Sequence, residues 1–600
     1  MKAEAQGFSY LKRDRRYDIP FFQRGYVWNQ DNWEEFYDSI IESIRASKTA
    51  FLGSIIIKDS GRKEWDKSIY SIIDGQQRLT TISLFIKAFF DEKIQVGDTF
   101  YQEYLSTLFI HESRSSPNKQ LKIHHSKLDK DEFEKCINSH YTDNYLTSNN
   151  TSKIFLCYKY FRERLKSLDA KSSSMIMELI LDTESELYKT FVVIEIDSKE
   201  NEQKIFDTVN SSGVKLTSAD IIKNAIFEKM MSDSNKQQEV IDFYNETWAA
   251  TFIKDSLTVK YWERETISGR IKRERIEVLL HSVAVIKQIY DPQLHKIEDL
   301  PDQYKEYISK KDYHNLLNLV KDICNFAKLY RDKFVDFDDD LGHAFSLEQR
   351  EEVFHRILDS FDTSTFDPYI LYLYYEHQHK KISDTELNTL LRKLEKYVAR
   401  TLICGSDNKK NFNKNNSDLI NPNSGTTLDS LLQRSDINDI EFKNSLKNIK
   451  NNQYGRILLY MIELNRLKNG QGMAGTSTIQ FTFSLEHIMP QSYLTNWNLS
   501  VIPLDRRDQN GDLLSEELLN EYRQKAIYEI GNMTLLKQKL NSTISNESFE
   551  IKKKGKGKKP GINAYPQLSI CTEITSEIDW NEDKIERRTN ELASEILTFW

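Results

Sequence analysis

The sequence has few cysteines, no long apolar run and no excess of positive charge. Its five cysteines lie far apart and form no CxxC pair, which excludes a disulfide framework and a cysteine-bound zinc site and predicts reduced thiols. No stretch of about 18 apolar residues occurs, so we expect neither a membrane-spanning helix nor a membrane partner. The N-terminal residues lack the apolar segment of a signal peptide, so the expected location is the cytoplasm.

The formal net charge of −8 excludes a uniformly basic DNA-coating protein, although local basic patches stay compatible with nucleic-acid binding. The 600 residues are 39% hydrophobic and 29% charged, which is typical of globular proteins with substantial cores. At ~150 residues per domain, this length predicts roughly three to five folded units.

Strand and helix patterns are mixed in the N-terminal part of the chain. The segments "GSIIIKD" (53–59) and "SIYSIID" (68–74) are rich in β-branched residues and predict two strands. The apolar run "LTTISLFIKAFFDEK" (79–93) predicts a helix, and a further strand pattern, "TFVVIEID" (190–197), follows a mostly helical stretch. We therefore predict an α/β domain over residues 1–230 with a helical insertion at about 96–185.

The remainder of the chain predicts two further regions. Residues 231–474 are a succession of amphipathic helix patterns, interrupted by a polar stretch at 405–427 that predicts a loop or mobile insert. Glycines at 469–477 then mark a boundary, after which strand character resumes in a C-terminal domain, 475–600. The overall prediction is a multidomain α+β protein with an all-helical middle.

Four polar residues of the C-terminal region suggest hydrolytic chemistry. Glu486 and His487 end a predicted strand, Asn532 lies in a second predicted strand, and Asn541 begins a helix. Glu486 and Asn541 offer the oxygen ligands that Mg²⁺ or Mn²⁺ prefers, and His487 has an unperturbed pKa suited to deprotonating water. The structural alternative is a satisfied histidine with asparagines in caps and turns; taken together, the four residues favour a one-metal phosphodiesterase site. The lysine run "KKKGKGKKP" (552–560) fits either phosphate binding or a solvated loop.

An N-terminal set of residues suggests phosphate binding. Arg24 and Arg78 carry guanidinium groups shaped for phosphate, and a helix that opens near Gly75 offers backbone N–H groups to an anion. Tyr26 or Trp28 could stack on a base. The structural alternative is a set of core aromatic residues followed by a polar helix cap.

The C-terminal pattern "EHIMPQS … GNMTLL … LNSTISN" resembles the HNH (ββα-metal) nucleases, specifically the variant found in GmrSD-type modification-dependent restriction enzymes. The resemblance implies that His487 is the general base, that Glu486 and Asn541 bind the metal, and that Asn532 orients the histidine. The strands are farther apart than in a minimal ββα unit, so residues 493–525 are predicted to be an insertion.

The N-terminal pattern "IPFFQRGYVW … IIDGQQRLTT … VNSSGVKLTSADIIKNAIF" resembles the N-terminal domain of the same family, which is related to the ParB/sulfiredoxin-like fold. The resemblance implies binding and hydrolysis of a nucleoside triphosphate of unspecified base. The residues that it assigns to the nucleotide are Gln23, Arg24, Tyr26, Asp74, Gly75, Gln76, Gln77, Arg78, Asn210 and Lys223.

The leading hypothesis is therefore a nucleotide-regulated, metal-dependent DNA endonuclease that restricts modified phage DNA. A single HNH centre cuts one strand, so a double-strand break would need a homo-oligomer or two encounters. One alternative is a nucleotide-switched, ParB-like DNA-binding protein with an inert HNH module. Another is a toxin-like nuclease that acts on host DNA or RNA.

Overall fold

The computed structural model describes residues 2–64, 67–93, 99–112, 119–126, 129–138, 150–182, 185–196, 217–232, 234–268, 271–334, 343–471, 477–564 and 568–600. The chain divides into two compact units, Met1–Tyr244 and Asn245–Trp600. The predicted boundary at 474/475 and the predicted nucleotide residue Asn210 lie outside the described residues.

The first unit is built on a mixed six-stranded sheet in the order β1-β8-β3-β4-β2-β7, and a separate hairpin joins β5 to β6. The strands of this unit are β1 (Lys2–Gln6), β2 (Arg16–Asp18), β3 (Ser54–Glu64), β4 (Lys67–Asp74), β5 (Ile110–Glu112), β6 (Lys119–Leu121), β7 (Ile123–His124) and β8 (Phe191–Ile196). The β-branched segments predicted as strands form β3 and β4, which pair antiparallel. Strand β8, distant in sequence, lies between β1 and β3.

Helices cover this sheet. They are α1 (Gln30–Ala46), α2 (Gln76–Lys93), α3 (Thr99–Phe109), α4 (Lys130–Asn138), α5 (Lys153–Lys166), α6 (Ala170–Leu181), α7 (Ser218–Met231) and α8 (Gln237–Tyr244). Helix α2 is buried on all sides from Leu79 to Phe90, as expected for a central helix that is apolar around its circumference. The insertion was predicted to be helical; it also contributes β7, which extends the sheet beside β2.

The turn between β4 and α2 is fixed by Gly75. This residue has a φ of +89°, and a Cβ atom there would lie 2.8 Å from the carbonyl oxygen of Ser54 and 2.9 Å from Cα of Ile55. Only glycine fits this conformation and this close approach without strain. The Asp74-Gly75 pair therefore leads directly from strand to helix and does not close a hairpin.

The second unit is predominantly helical. Its helices are α9 (Ala250–Phe252), α10 (Ser256–Glu263), α11 (Arg275–Ile286), α12 (Leu300–Ser309), α13 (Tyr313–Lys333), α14 (Arg350–Ser360), α15 (Asp367–Gln378), α16 (Asp384–Ile403), α17 (Phe412–Ile420), α18 (Leu428–Leu432), α19 (Asp439–Ser445), α20 (Asn452–Lys468), α21 (Glu516–Ile527), α22 (Gln538–Ile544), α23 (Phe549–Lys554), α24 (Ser569–Ser576) and α25 (Glu582–Ile596). None of the helices in the described ranges is long and apolar enough to cross a membrane.

Short strand pairs interrupt these helices. They are β9 (Glu265–Ser268) with β10 (Ile271–Glu274), β11 (Ala344–Phe345) with β12 (Ile479–Gln480), β13 (Phe483–His487) with β14 (Met533–Lys537), and β15 (Gly555–Lys556) with β16 (Lys559–Pro560). In the β13–β14 pair the two strands run antiparallel, and α22 begins directly after β14. This local order is strand, insertion, strand and helix.

The prediction of a loop at 405–427 was wrong, because this polar stretch contains the ordered helix α17. The amide groups of Asn408 and Asn415 both donate to the buried hydroxyl of Tyr397, at 2.7 Å each. Asn416 is also buried and accepts a hydrogen bond from the backbone N–H of Tyr369. Polar side chains can fold into a core when each finds a partner there.

The insertion between β13 and β14 is folded around Arg523. This side chain is fully buried, forms an ion pair with Glu582, and donates to the carbonyl oxygens of Trp497 and Ile502 at 2.6 Å each. These contacts attach the insertion to α25, whose first residue is Glu582.

Candidate functional site

The four predicted cutting residues lie at the β13–β14 strand pair or directly beside it. Glu486 and His487 end β13, where they pair with Thr534 and Met533 of β14. Asn541 lies on α22, and its side-chain amide donates to the carbonyl oxygen of Leu485 at 2.8 Å and to the Ser484 hydroxyl at 3.0 Å. The helix is therefore attached to the strand immediately before Glu486.

Glu486 has a buried cationic partner, Lys552 of α23. The Lys552 ammonium forms an ion pair with the Glu486 carboxylate and donates to the main-chain carbonyl of His487 at 2.9 Å. Burial raises the pKa of Glu486 and lowers the pKa of Lys552, while the ion pair opposes both shifts. Because an unpaired charge would be costly at this depth, each group stabilises the charged form of the other.

His487 is the general base that the resemblance implies, and it lies at the end of β13. Its side chain is buried, and its Nε2 atom has no hydrogen-bond partner among the residues that the structure describes. Burial, and secondarily the charge of Lys552, lower the pKa of His487 to about 4. The imidazole is therefore neutral near pH 7, which is the protonation state that a general base needs, but the same burial makes the ring a weaker base than free histidine.

Asn532 is fully buried and precedes β14, in the short 3-10 turn Ile530–Asn532. The second strand was predicted to include it; the strand instead begins at Met533. The Asn532 amide accepts from the Met489 N–H at 2.8 Å and from the Trp580 indole at 3.1 Å, and it donates to the carbonyls of Met489 (2.8 Å) and Ile527 (3.0 Å). Its side chain thus fixes the main chain that follows His487, and the orienting role that the resemblance implies stays a prediction.

Two side chains at this strand pair could contribute oxygen ligands to a divalent cation. No group of three or more His, Cys, Asp or Glu side chains that could hold a metal occurs within the described ranges. The side-chain oxygens in this position are the Glu486 carboxylate, which pairs with Lys552, and the Asn541 amide oxygen. No described residue donates a hydrogen bond to the Asn541 oxygen. Mg²⁺ commonly takes one or two carboxylates and completes its shell with water and substrate phosphate. This donor set fits that mode of binding.

In the first unit, the glutamines of the "DGQQR" segment attach the preceding loop to the start of α2. Gln76 donates to the carbonyl of Arg24 at 3.1 Å, and Gln77 donates to the carbonyl of Gly25 at 3.0 Å while accepting from the Val27 N–H at 2.8 Å. Gln23 donates to the carbonyl of Ile72, on β4, at 2.7 Å. The "FFQRGYVW" loop and the "DGQQR" segment, which are about 50 residues apart in the sequence, are therefore joined directly by hydrogen bonds.

The charged residues of this region form two groups. Arg78 donates to the carbonyl of Ser54 at 3.1 Å and lies 3.7 Å from the Asp74 carboxylate. Lys223 of α7 pairs with Asp220 at 2.8 Å. Burial works against ionisation of Asp220, but Lys223 and also Arg24 more than compensate, and the net effect lowers its pKa. Arg24 therefore lies near α7 as well as near α2.

Tyr26 lies in the core of the first unit. It is buried, its hydroxyl lies 2.6 Å from the Thr81 hydroxyl, and it accepts from the Trp33 indole at 2.9 Å. This placement supports the structural alternative for Tyr26, because a ring in the core cannot stack on a base.

Lys552 was missed as a site residue, because it is one lysine in a basic run. A signal was present in the sequence: Phe549 and Lys552 are three positions apart and so share one face of a helix, which the structure shows to be the buried face. The exposed lysines of the run lie on other faces, so composition alone could not distinguish them.

Comparison with known families gives two matches. The model of the GmrSD restriction endonuclease N-terminal domain matches residues 8–227, which include the loop and α2. The model of the GmrSD restriction endonucleases C-terminal domain matches residues 436–595, which include the β13–β14 hairpin, α22 and Lys552. Together the two matches cover more than half of the chain, in the order expected for the family. No curated protein matches the chain.

Proposed function

The chain belongs to the GmrSD family of restriction endonucleases, and on this premise we propose that it is an HNH-type, metal-dependent endonuclease that restricts modified phage DNA under nucleotide control. The observation that carries the cutting part of the proposal is the convergence of Glu486, His487 and Asn541 at one hairpin. The antiparallel strands followed by a helix support the ββα assignment of this region.

In the proposed reaction, His487 accepts the proton of the attacking water. Its neutral imidazole and its position next to Glu486 at the end of β13 support this role. Glu486 and Asn541 would hold Mg²⁺ or Mn²⁺, which when bound stabilises negative charge on the phosphate and on the leaving 3′ oxygen. Lys537 and Lys539 are exposed and lie within four positions of Asn541 in the sequence, so we propose them for phosphate contacts, which make binding salt-dependent.

One such centre cuts one strand at a time, so we propose a nick as the elementary product. A double-strand break then requires a homo-oligomer or two successive encounters. A time course on supercoiled plasmid separates these cases, because sequential nicking accumulates the open circle before the linear form.

We propose that the first unit binds a nucleoside triphosphate at the loop 20–28. The support is the proximity of Arg24 to α7 and of Arg78 to the start of α2, where backbone N–H groups favour an anion. Gln76 and Gln77 then act by holding the loop in shape. The test is titration with ATP and GTP: Arg24→Gln should weaken binding, and Arg45→Gln, an exposed arginine of α1, should not.

The cutting proposal is tested with phage DNA that carries modified bases and with an unmodified amplified copy, each with Mg²⁺ or with EDTA. We expect cleavage of the modified DNA only, dependent on Mg²⁺ and abolished by His487→Gln. His314→Gln, an exposed histidine of the same unit, is the matched control and should retain activity. Binding without cleavage would indicate the inert-module alternative, whereas cleavage of unmodified host DNA or of RNA would indicate the toxin-like alternative.

A further inference from the structure

The buried ammonium of Lys552 connects two of the proposed cutting residues. Its side chain has no exposed surface, and it reaches both the carboxylate of Glu486 and the main-chain carbonyl of His487. These two acceptors belong to consecutive residues at the end of β13. A fully buried lysine is unusual unless its charge is paired and its N–H groups have acceptors.

The position of Lys552 is set by the helix that carries it. Phe549 lies one turn earlier on the same face of α23, and its ring stacks on Trp580 with a centroid distance of 5.8 Å. The other two lysines of this helix point elsewhere: Lys553 donates to the carbonyl of Glu577, and Lys554 is exposed and pairs with Glu550. The packing of Phe549 thus turns the face of α23 that carries Lys552 toward the core.

We propose that Lys552 is a positioning residue of the cutting site, which fixes the end of β13 at His487 and sets how tightly Glu486 can hold a divalent cation. This inference rests on the proposed function. It adds a residue that contacts neither the phosphate nor the water in the reaction and acts through its two neighbours.

Two opposite effects follow from this geometry. The ammonium lies within hydrogen-bond distance of the carboxylate that would ligate the cation, so its positive charge opposes cation binding there. The same ammonium satisfies the carbonyl of His487, so its loss would leave that carbonyl unpaired and free the end of the strand to move. At a pH at which Glu486 stays ionised without its partner, removing Lys552 should therefore strengthen cation binding and slow the chemical step. Purely structural damage would instead weaken cation binding as well as slow the chemical step.

The experiment measures Mn²⁺ affinity by electron paramagnetic resonance, and cleavage at saturating Mn²⁺, on the full chain. For Lys552→Met we expect Mn²⁺ affinity to rise at least about tenfold, since a neighbouring positive charge is removed. We expect kcat to fall at least about tenfold, since the general base loses its alignment. Lys525→Met, at an exposed lysine of α21 in the same unit and outside the basic run, is the matched control and should match the wild type in both measurements.

Lys552→Arg keeps the positive charge and covers the case in which Lys552→Met does not fold. We expect it to bind Mn²⁺ within about threefold of the wild type, because the charge is retained, and to cut more slowly, because a planar guanidinium cannot reproduce the two ammonium contacts. Wild-type Mn²⁺ affinity and kcat in Lys552→Met, or wild-type kcat in Lys552→Arg, would overturn this inference and leave the proposed function standing. A wild-type protein that neither binds Mn²⁺ nor cuts DNA would overturn the proposed function, and this inference with it.

Discussion

Replacing Asn532 by alanine should destabilise the second unit strongly. The buried amide makes four hydrogen bonds: two with the main chain of Met489, one with the carbonyl of Ile527 and one with the indole of Trp580. A buried polar group left without a partner costs roughly 1–3 kcal/mol. Four partners lose their bond in Asn532→Ala, and partial relaxation lowers the sum, so we expect a loss of about 3–5 kcal/mol in the free energy of unfolding.

The comparison with His487 makes this prediction specific. His487→Gln removes a ring whose Nε2 atom bonds to no described residue, so its stability should change by about 1 kcal/mol or less while cleavage is lost. Asn532→Asp should be as harmful as the alanine variant, because a second oxygen would face the carbonyls of Met489 and Ile527. Equilibrium urea denaturation followed by circular dichroism provides the measurement, with cleavage scored per folded molecule.

The two readings of Asn532 give different results. If it supports the turn, lost cleavage will follow the folded fraction and return at low temperature, where more of the protein is folded. If Asn532→Ala were as stable as the wild type yet failed to cut, the hydrogen-bond reasoning would be refuted, and a direct orienting role for Asn532 toward the histidine would be favoured.

Three further predictions concern other parts of the fold. Gln77→Ala leaves the N–H of Val27 without its buried acceptor and should lower the free energy of unfolding of the first unit by about 2–3 kcal/mol, measured by urea denaturation; an unchanged midpoint would contradict the loop-holding role. Gly75→Ala should cost more than about 2 kcal/mol in a thermal melt, because its Cβ would meet backbone atoms, whereas Gly470→Ala, also at positive φ but with open space around it, should cost only about 1–2 kcal/mol. Burial lowers the pKa of His355 to about 3. Because this histidine takes up a proton below about pH 6.5 in the unfolded chain only, the free energy of unfolding of the second unit should fall by up to about 1.4 kcal/mol for each pH unit between about pH 6.5 and 3. Denaturation at pH 7 and at pH 5 should show a smaller pH dependence for His355→Gln than for the wild type.

Several elements of the fold could be predicted because their signals are local. The β-branched runs form β3 and β4, and the apolar run after Arg78 forms the buried helix α2. Alternation and composition carry this information within a few residues, so no distant partner is needed to read it. The placement of Glu486 and His487 on a strand, with Asn541 on a following helix, is of the same kind.

Other features could not be predicted because distant partners decide them. The polar stretch at 405–427 folds since Asn408 and Asn415 meet the hydroxyl of Tyr397 on another helix. Strand β7 joins the sheet through β2, which lies more than a hundred positions earlier in the chain. Tyr26 enters the core because Thr81 and Trp33 offer hydrogen bonds to its hydroxyl.

By itself, the sequence indicated the strands β3, β4 and β8, the helix α2, the family and a set of candidate residues for hydrolysis. These depend on residue types and short spacings, which the chain carries directly. Only the tertiary structure decided which polar groups meet. It showed that Asn532 bonds to the main chain of Met489, that the glutamines after Gly75 hold a loop, and that one lysine of a basic run is buried against Glu486. The physical reason is that burial and pairing, which set the charge state and the role of a polar side chain, are properties of contacts between distant segments.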